Sequence, residues 1–187
     1  MKASKAEMAQ ILLINPNTSR QTTELMARQA RACLPAGMLL LTATAQRGDA
    51  MITDEAGLRL AEQEVLRLGL EFAHSAGAAP ARAIIVAAFG NPGLDALRAA
   101  LPPGVAACGI GEAAMRAAAT AADQGPRRFG IATTTPGLEA SIAASVNALG
   151  LMPQFTGTRI APGEPLALAA DPALQCERLA LAVAQCI

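Results

Sequence analysis

The sequence predicts an α/β fold built on a mostly parallel sheet, and two observations lead there. Short apolar runs rich in β-formers alternate along the chain with segments whose Leu and Ala spacing suits helices. Such a βαβα rhythm joins parallel strands through right-handed crossovers. In addition, three of the apolar runs empty into polar turns ahead of a helical segment. In parallel α/β sheets that is the edge where small molecules bind.

The first strand, residues 11–14, stops at Asn15-Pro16-Asn17-Thr18-Ser19. Asn, Ser and Thr bond to nearby backbone, Pro16 fixes φ, and Ser19 or Thr18 is placed to cap a helix that begins near Gln21 and covers 22–33. A strand at 38–44 and a helix at 53–76 follow. The strand at 83–88 then runs into Phe89-Gly90-Asn91-Pro92-Gly93-Leu94-Asp95, where the N–H groups of Phe89 and Gly90 suit a carboxylate or ring carbonyl. Next come a helix at 93–101, a strand at 105–108 and a helix at 112–122. The strand at 129–134 ends in three hydroxyls, Thr133-Thr134-Thr135. A helix at 137–149, a weaker strand at 154–160 and a helix at 172–186 complete the pattern. Pro and Gly clusters at Ala79-Pro80, Pro102-Pro103-Gly104, Gly125-Pro126 and Pro162-Gly163 mark connections, and the second of these sets the domain boundary, 1–104 against 105–187. Each polar turn alone also suits an ordinary strand-to-helix connection, and threonine is a good strand residue. Their coincidence on one sheet edge favours ligand binding.

With 187 residues, 52% of them hydrophobic, there is material for one ordinary domain or two small lobes. Fifteen basic and fifteen acidic residues cancel, and the absence of Trp and Tyr leaves little for a nucleic-acid surface. The N-terminal apolar run is too short for a signal peptide, and charged residues, Gly or Pro break the other apolar stretches before membrane-spanning length. A cytoplasmic protein with no membrane or nucleic-acid partner is expected. Cys33, Cys108, Cys176 and Cys186 form no C-x-x-C pair, and His74 is the single histidine, so no metal site is expected. Lys2 and Lys5 are the only lysines, which leaves no buried Schiff-base lysine, and no cofactor is expected. His74 reads as an exposed helix end, Arg82, Arg98, Arg127 and Arg128 as solvated surface, and Cys33, Cys108 and Cys176 as packing residues. Gly109-Ile110-Gly111-Glu112-Ala113-Ala114 matches a loose dinucleotide fingerprint, but it follows a mid-chain strand and no acidic residue ends the next one.

The order Asn15-Pro16-Asn17-Thr18-Ser19, Phe89-Gly90-Asn91-Pro92-Gly93-Leu94-Asp95, Gly109-Ile110-Gly111-Glu112-Ala113, Phe129-Gly130-Ile131-Ala132-Thr133-Thr134 resembles hydantoin racemases of the aspartate/glutamate racemase superfamily. The resemblance covers nearly the whole chain. It implies two similar Rossmann-like lobes with parallel four-stranded sheets, related by a pseudo-two-fold axis, and a hydantoin, allantoin or amino acid held between them. It further implies cofactor-independent racemisation by two cysteines, one thiolate removing the proton at the stereocentre while the opposing thiol supplies another. Asn15, Pro16, Asn17, Thr18, Phe89, Gly90, Glu112, Thr133 and Thr134 are the substrate-binding residues it implies.

The sequence departs from that pattern at both thiols. Ala88 occupies the position of the first family cysteine, and a methyl group cannot shuttle a proton. The second lies in the family on a last strand, before which this chain reaches Ile187. Cys186 mimics that cysteine, although Leu179, Val183 and Cys186 fit one helix face. A missing final strand is expected to leave an uncovered sheet edge, and hence a homo-oligomer. Three functions follow from these features: a racemase with impaired chemistry, a non-catalytic binder of carboxylates or ureides, and a one-cysteine lyase or decarboxylase using Cys108 or Cys186.

Overall fold

Residues 8–75, 80–121 and 125–186 are described by a computed structural model. The N-terminal segment 1–7 and the expected element or connection residues Ala76, Ala79, Ala122 and Ile187 lie outside them. The chain divides into two units, residues 1–52 with 56–110, and 53–55 with 111–187.

In the first unit, strands β1 (Ala9–Asn15), β2 (Met38–Thr44), β3 (Ala81–Val86) and β4 (Ala106–Gly109) form one parallel sheet in the order β2-β1-β3-β4. The unbroken apolar run of β1 reflects burial on both faces, since Leu12, Leu13 and Ile14 are all buried. Side chains alternate across a strand, so consecutive residues enter different cores. Leu12 and Ile14 pack with Val65 and Phe72 of α2 (Glu55–His74) and with Leu94 and Leu97 of α3 (Leu94–Ala100). Leu13 packs on the other face with Leu40 and with Ala27 of α1 (Arg20–Ala32). Gly69 lets α2 approach closely, because a Cβ there would lie 2.6 Å from Leu97 Cδ1.

The second unit contains α4 (Ile110–Ala119) from Gly111 onward, a short antiparallel pair β5 (Thr120–Ala121) and β6 (Gly125–Pro126), and the parallel pair β7 (Phe129–Thr133) and β8 (Phe155–Ile160). Its helices α5 (Glu139–Ala148), α6 (Pro165–Ala170) and α7 (Pro172–Ala184) follow in chain order. Met115, Ala119, Phe129, Ile131, Ile142 and Val146 make its core, with the Phe129 and Phe155 rings 5.7 Å apart. Among the described residues no helix is long and apolar enough to cross a membrane.

The four-stranded parallel sheet expected in each lobe is present in the first unit, whereas the parallel sheet described in the second has two strands. The strand assigned from sequence to the second lobe is β4, which pairs with β3, Val86 opposite Gly109. The Pro102-Pro103-Gly104 cluster is thus the connection from α3 to β4, and the division falls after Ile110 rather than at 104/105. Helix α6 is an addition. It has six residues, too few for a periodic signal, and begins with Glu164 accepting the N–H of Ala167 at 2.8 Å and Pro165 in its first turn.

One buried charge ties α2 to the loop after β2. The Glu64 side chain is fully buried. Its Oε2 accepts from Gln46 N at 2.9 Å and Arg67 Nη2 at 3.0 Å, and its Oε1 from Arg47 Nε at 2.8 Å. The Arg67 guanidinium above all, with Gln46 N–H and Arg47, outweighs burial and holds this carboxyl at about 2. Because that value lies below the unfolded one, the stabilisation is complete above pH ~4.5 and is lost as pH falls through about 2. Its size is about 3 kcal/mol at neutral pH. Urea denaturation of the wild type and Glu64→Gln should show a difference of that order at pH 7 that shrinks steadily below pH ~5. A difference independent of pH would contradict an ionised Glu64.

Candidate functional site

The turn after β1 is organised by a buried amide. Asn15 has no exposed surface, and its Nδ2 donates to Asn17 Oδ1 at 2.8 Å, Ser19 O at 2.9 Å and Thr23 Oγ1 at 3.0 Å. Its Oδ1 accepts from Asn17 N at 3.2 Å, so donor and acceptor ends both close on the same short loop. Asn17 Oδ1 also accepts from Ser19 N at 2.9 Å, and Ser19 Oγ caps α1 by accepting from Thr22 N at 3.2 Å. Thr23 Oγ1 lies 2.7 Å from Thr44 Oγ1, which links α1 to the end of β2. Pro16 is fully buried, whereas Asn17 and Thr18 are half-buried. A cleft of about 580 Å³ opens beside this turn, with Thr18, Arg20, Glu24, Thr44 and Gln46 in its wall.

β3 ends next to β1, where Ala87 N donates to Ile14 O at 2.8 Å. Ala88 follows, half-buried, and its carbonyl accepts from Asn91 N at 3.0 Å to close the turn that carries Phe89 and Gly90. Phe89 is 36% exposed, a large apolar ring left at the strand end. Asn91 is left-handed, φ 49°, and its side chain crosses the end of β4: a Cβ on Gly109 would sit 2.0 Å from Asn91 Oδ1. Gly93 is also left-handed, φ 69°, with room for no Cβ against Glu62 O at 2.9 Å. The structure therefore gathers Asn15, Pro16, Asn17, Thr18, Ala88, Phe89 and Gly90 at the C-terminal ends of two adjacent parallel strands.

The remaining sequence-derived residues belong to the second unit. Thr133 ends β7, its carbonyl accepting from Ala161 N at 2.7 Å and its Oγ1 from Thr135 N at 3.2 Å, while Thr134 is buried. Glu112 stands in the first turn of α4, where its Oε1 accepts from Arg116 Nε at 3.0 Å. Cys186 lies just past the C-cap of α7, its N–H donating to Val183 O at 2.9 Å, so the chain here continues a helical turn and not a strand. It packs on β7 at Gly130, where a Cβ would lie 2.8 Å from its Sγ, and its carbonyl accepts from Thr156 Oγ1 at 3.1 Å. Gly130 is near the start of β7 and Thr133 at its end, so Cys186 is not brought to the threonine turn.

Cys33, Cys108 and Cys176 are exposed, contrary to the expected packing role. Cys33 follows the last turn of α1, Cys108 lies on the edge strand β4, and Cys176 points outward from α7, positions that hydrophobicity alone does not distinguish from core. His74 is exposed at the end of α2, with Nδ1 2.8 Å from Leu70 O. The residue that sequence reasoning missed is Glu64. An acidic residue amid the apolar spacing of α2, next to Val65 and one turn before Leu68, both of which meet the core, was the available signal.

The Asp/Glu/hydantoin racemase family model matches residues 11–187. Over 88 residues the chain is 33% identical to a hydantoin racemase from Paenarthrobacter aurescens, a match covering 47% of this chain and 36% of that protein. The allantoin racemase from Klebsiella pneumoniae superimposes with a TM-score of 0.77 at 28% identity, over 91% of this chain and 66% of that one. The allantoin racemase from Pseudomonas fluorescens gives a TM-score of 0.80 at 25% identity, over 93% of this chain and 69% of that one. These likenesses carry the Rossmann-like racemase fold, and the chain spans about a third of the hydantoin racemase's length.

Two stability tests follow from the geometry of the first unit. Asn15→Asp keeps the shape but sets a carboxylate oxygen against Asn17 Oδ1 and Ser19 O, so it should cost ~2–4 kcal/mol in urea denaturation near neutral pH. Gly109→Ala should cost ~1–3 kcal/mol, and Asn91→Gly, which removes the opposing side chain at a φ that glycine accepts, should recover most of that loss in the double variant. Simple additivity of the two changes would refute the contact.

Proposed function

The chain belongs to the Asp/Glu/hydantoin racemase family, and from that premise we propose that it binds a hydantoin, allantoin or amino acid through its polar strand ends while its proton transfer is impaired. One observation carries the binding half: the Asn15 side chain holds the turn with hydrogen bonds at both its donor and its acceptor end, yet Asn17 and Thr18 stay half-buried at the end of β1, beside the Phe89-Gly90 turn. A rigid loop of this kind loses little entropy when it takes up a small ligand. Asn17 and Thr18 would bond the ureide or carboxylate, and the N–H groups of Phe89 and Gly90 would donate to a carbonyl oxygen. No metal or organic cofactor enters this reading, and the ligand is a small molecule.

The chemical half rests on Ala88. Two-base racemisation breaks a C–H bond at the stereocentre by transfer of the proton to one base, and forms a new C–H bond on the opposite face with a proton from a second acid. An alanine methyl group offers neither lone pair nor transferable proton. With Ala88 at the first position, the expected behaviour is binding without efficient turnover, which also favours the second reading, a non-catalytic binder of the same ligands.

Binding is measured as a ligand-dependent rise in melting temperature with 5-substituted hydantoins, allantoin, aspartate and glutamate, since a ligand that takes only the native state stabilises it. Turnover is measured as loss of optical rotation and as deuterium incorporation at the stereocentre in D₂O. The wild type is expected to bind at least one of these ligands with little exchange, and Ala88→Cys to raise deuterium incorporation by about tenfold or more, on the order of a restored general base. Robust racemisation by the wild type would sink the claim of impaired chemistry, and absence of binding to all four classes would sink the ligand reading.

A further inference from the structure

The loop after β2 is bonded at both of its ends to the turn after β1 and in its middle to α2. Ala45 N donates to Asn15 O at 2.9 Å, and Asp49 O accepts from Thr18 N at 3.0 Å. Between those two bonds, Gln46 N and Arg47 Nε donate to Glu64 at 2.9 Å and 2.8 Å. Residues 45–49 thus form a strap across the Asn15–Thr18 turn, and two of its groups, Gln46 N and Arg47 Nε, are held by one carboxylate of α2. We propose that Glu64 is a positioning residue for ligand binding, acting through the 45–49 strap to hold the Asn15–Thr18 turn in register.

The chemistry of the fixed point supports this role. Arg67 approaches the same carboxylate with Nη2 at 3.0 Å from Oε2 and Nε at 3.4 Å from Oε1, so Glu64 accepts from one backbone N–H and two guanidinium groups at once. Only an ionised carboxylate has lone pairs for that many donors, and a glutamine of the same shape would turn an NH₂ group toward one of them. Arg67 is itself held from the outer side by Glu71, with Nη1 2.9 Å from Oε1, so the anchor is braced against the helix and does not swing with the loop. Glu64 is fully buried, and its bonds toward the turn run to Gln46 and Arg47 of the strap. The strap also places Gln46 and Thr18 in the wall of one cleft, so loosening it would shift two cleft residues together. The bond from Thr18 N to Asp49 O takes up that backbone donor and leaves the Thr18 side chain as the polar group free to meet a ligand.

This inference rests on the ligand reading given above for the same turn, and it is tested so that the two fail separately. The first measurement needs no ligand: hydrogen exchange of individual amides in the full chain, comparing Thr18 and Ala45 with Ile84 and Ile85 of β3. Beyond any change at β3, Thr18 and Ala45 should exchange at least tenfold faster in Glu64→Gln and about threefold faster in Arg47→Gln, at an exposed position. The second measurement is the dissociation constant for allantoin or aspartate, whichever the wild type binds, with Val65→Ala as a variant that lowers global stability without touching the strap. Glu64→Gln should weaken binding about tenfold or more, and Val65→Ala should leave it within about twofold. Exchange at Thr18 rising only in step with β3, or equal loss of affinity in Glu64→Gln and Val65→Ala, would overturn the positioning role. A wild type that binds neither ligand would overturn the ligand reading, and the exchange comparison would then decide the strap on its own. If Glu64→Gln does not fold, Arg47→Gln supplies both readouts.

Discussion

The turn at the C-terminal end of β1 depends on one buried amide. Asn15 ends the central strand β1 with a side chain that has no contact with water, so each of its polar atoms must be matched inside the protein. It meets that demand by drawing the following four residues and the first turns of α1 around itself. The path of the chain out of β1, the capping of α1 and the link from Thr23 to β2 are consequences of satisfying this group. A hydrophobic residue of the same size would leave the strand buried as well, but it would give the turn no reason to fold one way. The polarity of position 15 is therefore a specification of geometry, and only secondarily a contribution to stability.

How much of this was legible in the sequence differs by element. The strands and the long helices were readable because they bury wide apolar faces, and burial imposes a period on the residues. Ser19 as the cap of α1 was readable for a related reason: a helix start demands an acceptor, and few residue types supply one. The assignment of β4 was not. Which neighbour a strand pairs with depends on contacts distant in sequence, and the Pro102-Pro103-Gly104 cluster marks a turn without saying which sheet the chain enters next. The exposed cysteines were misjudged because a thiol is small and weakly polar, tolerated on either side of a surface. Glu64 lay hidden in the same way that buried charges usually do. Its partners come from residues 46, 47 and 67, two of them in a loop whose path no local pattern fixes.

The candidate site joins two kinds of rigidity. The turn after β1 is fixed by side-chain hydrogen bonds, while the turn after β3 is fixed by backbone conformation, with Asn91 and Gly93 both left-handed. Neither depends on the identity of residue 88. The loops can thus keep their shape whatever side chain stands at position 88, because the interactions that form them do not include it. Cys186 belongs to a different local arrangement, the packing of the α7 terminus on Gly130 and Thr156, and its close fit there is a structural reason for a small side chain at that position.

The crossing of Asn91 over Gly109 has a bearing on how such a sequence can change over time. Position 109 cannot vary while Asn91 stays, since any side chain at 109 meets the amide of 91. Glycine at 109 is acceptable with many residues at 91, but the reverse does not hold, so mutations must arrive in one order for the lineage to remain folded. A pair of this kind behaves as a ratchet: the permissive step at 91 comes first, and once 109 has acquired a side chain the return of asparagine is closed off.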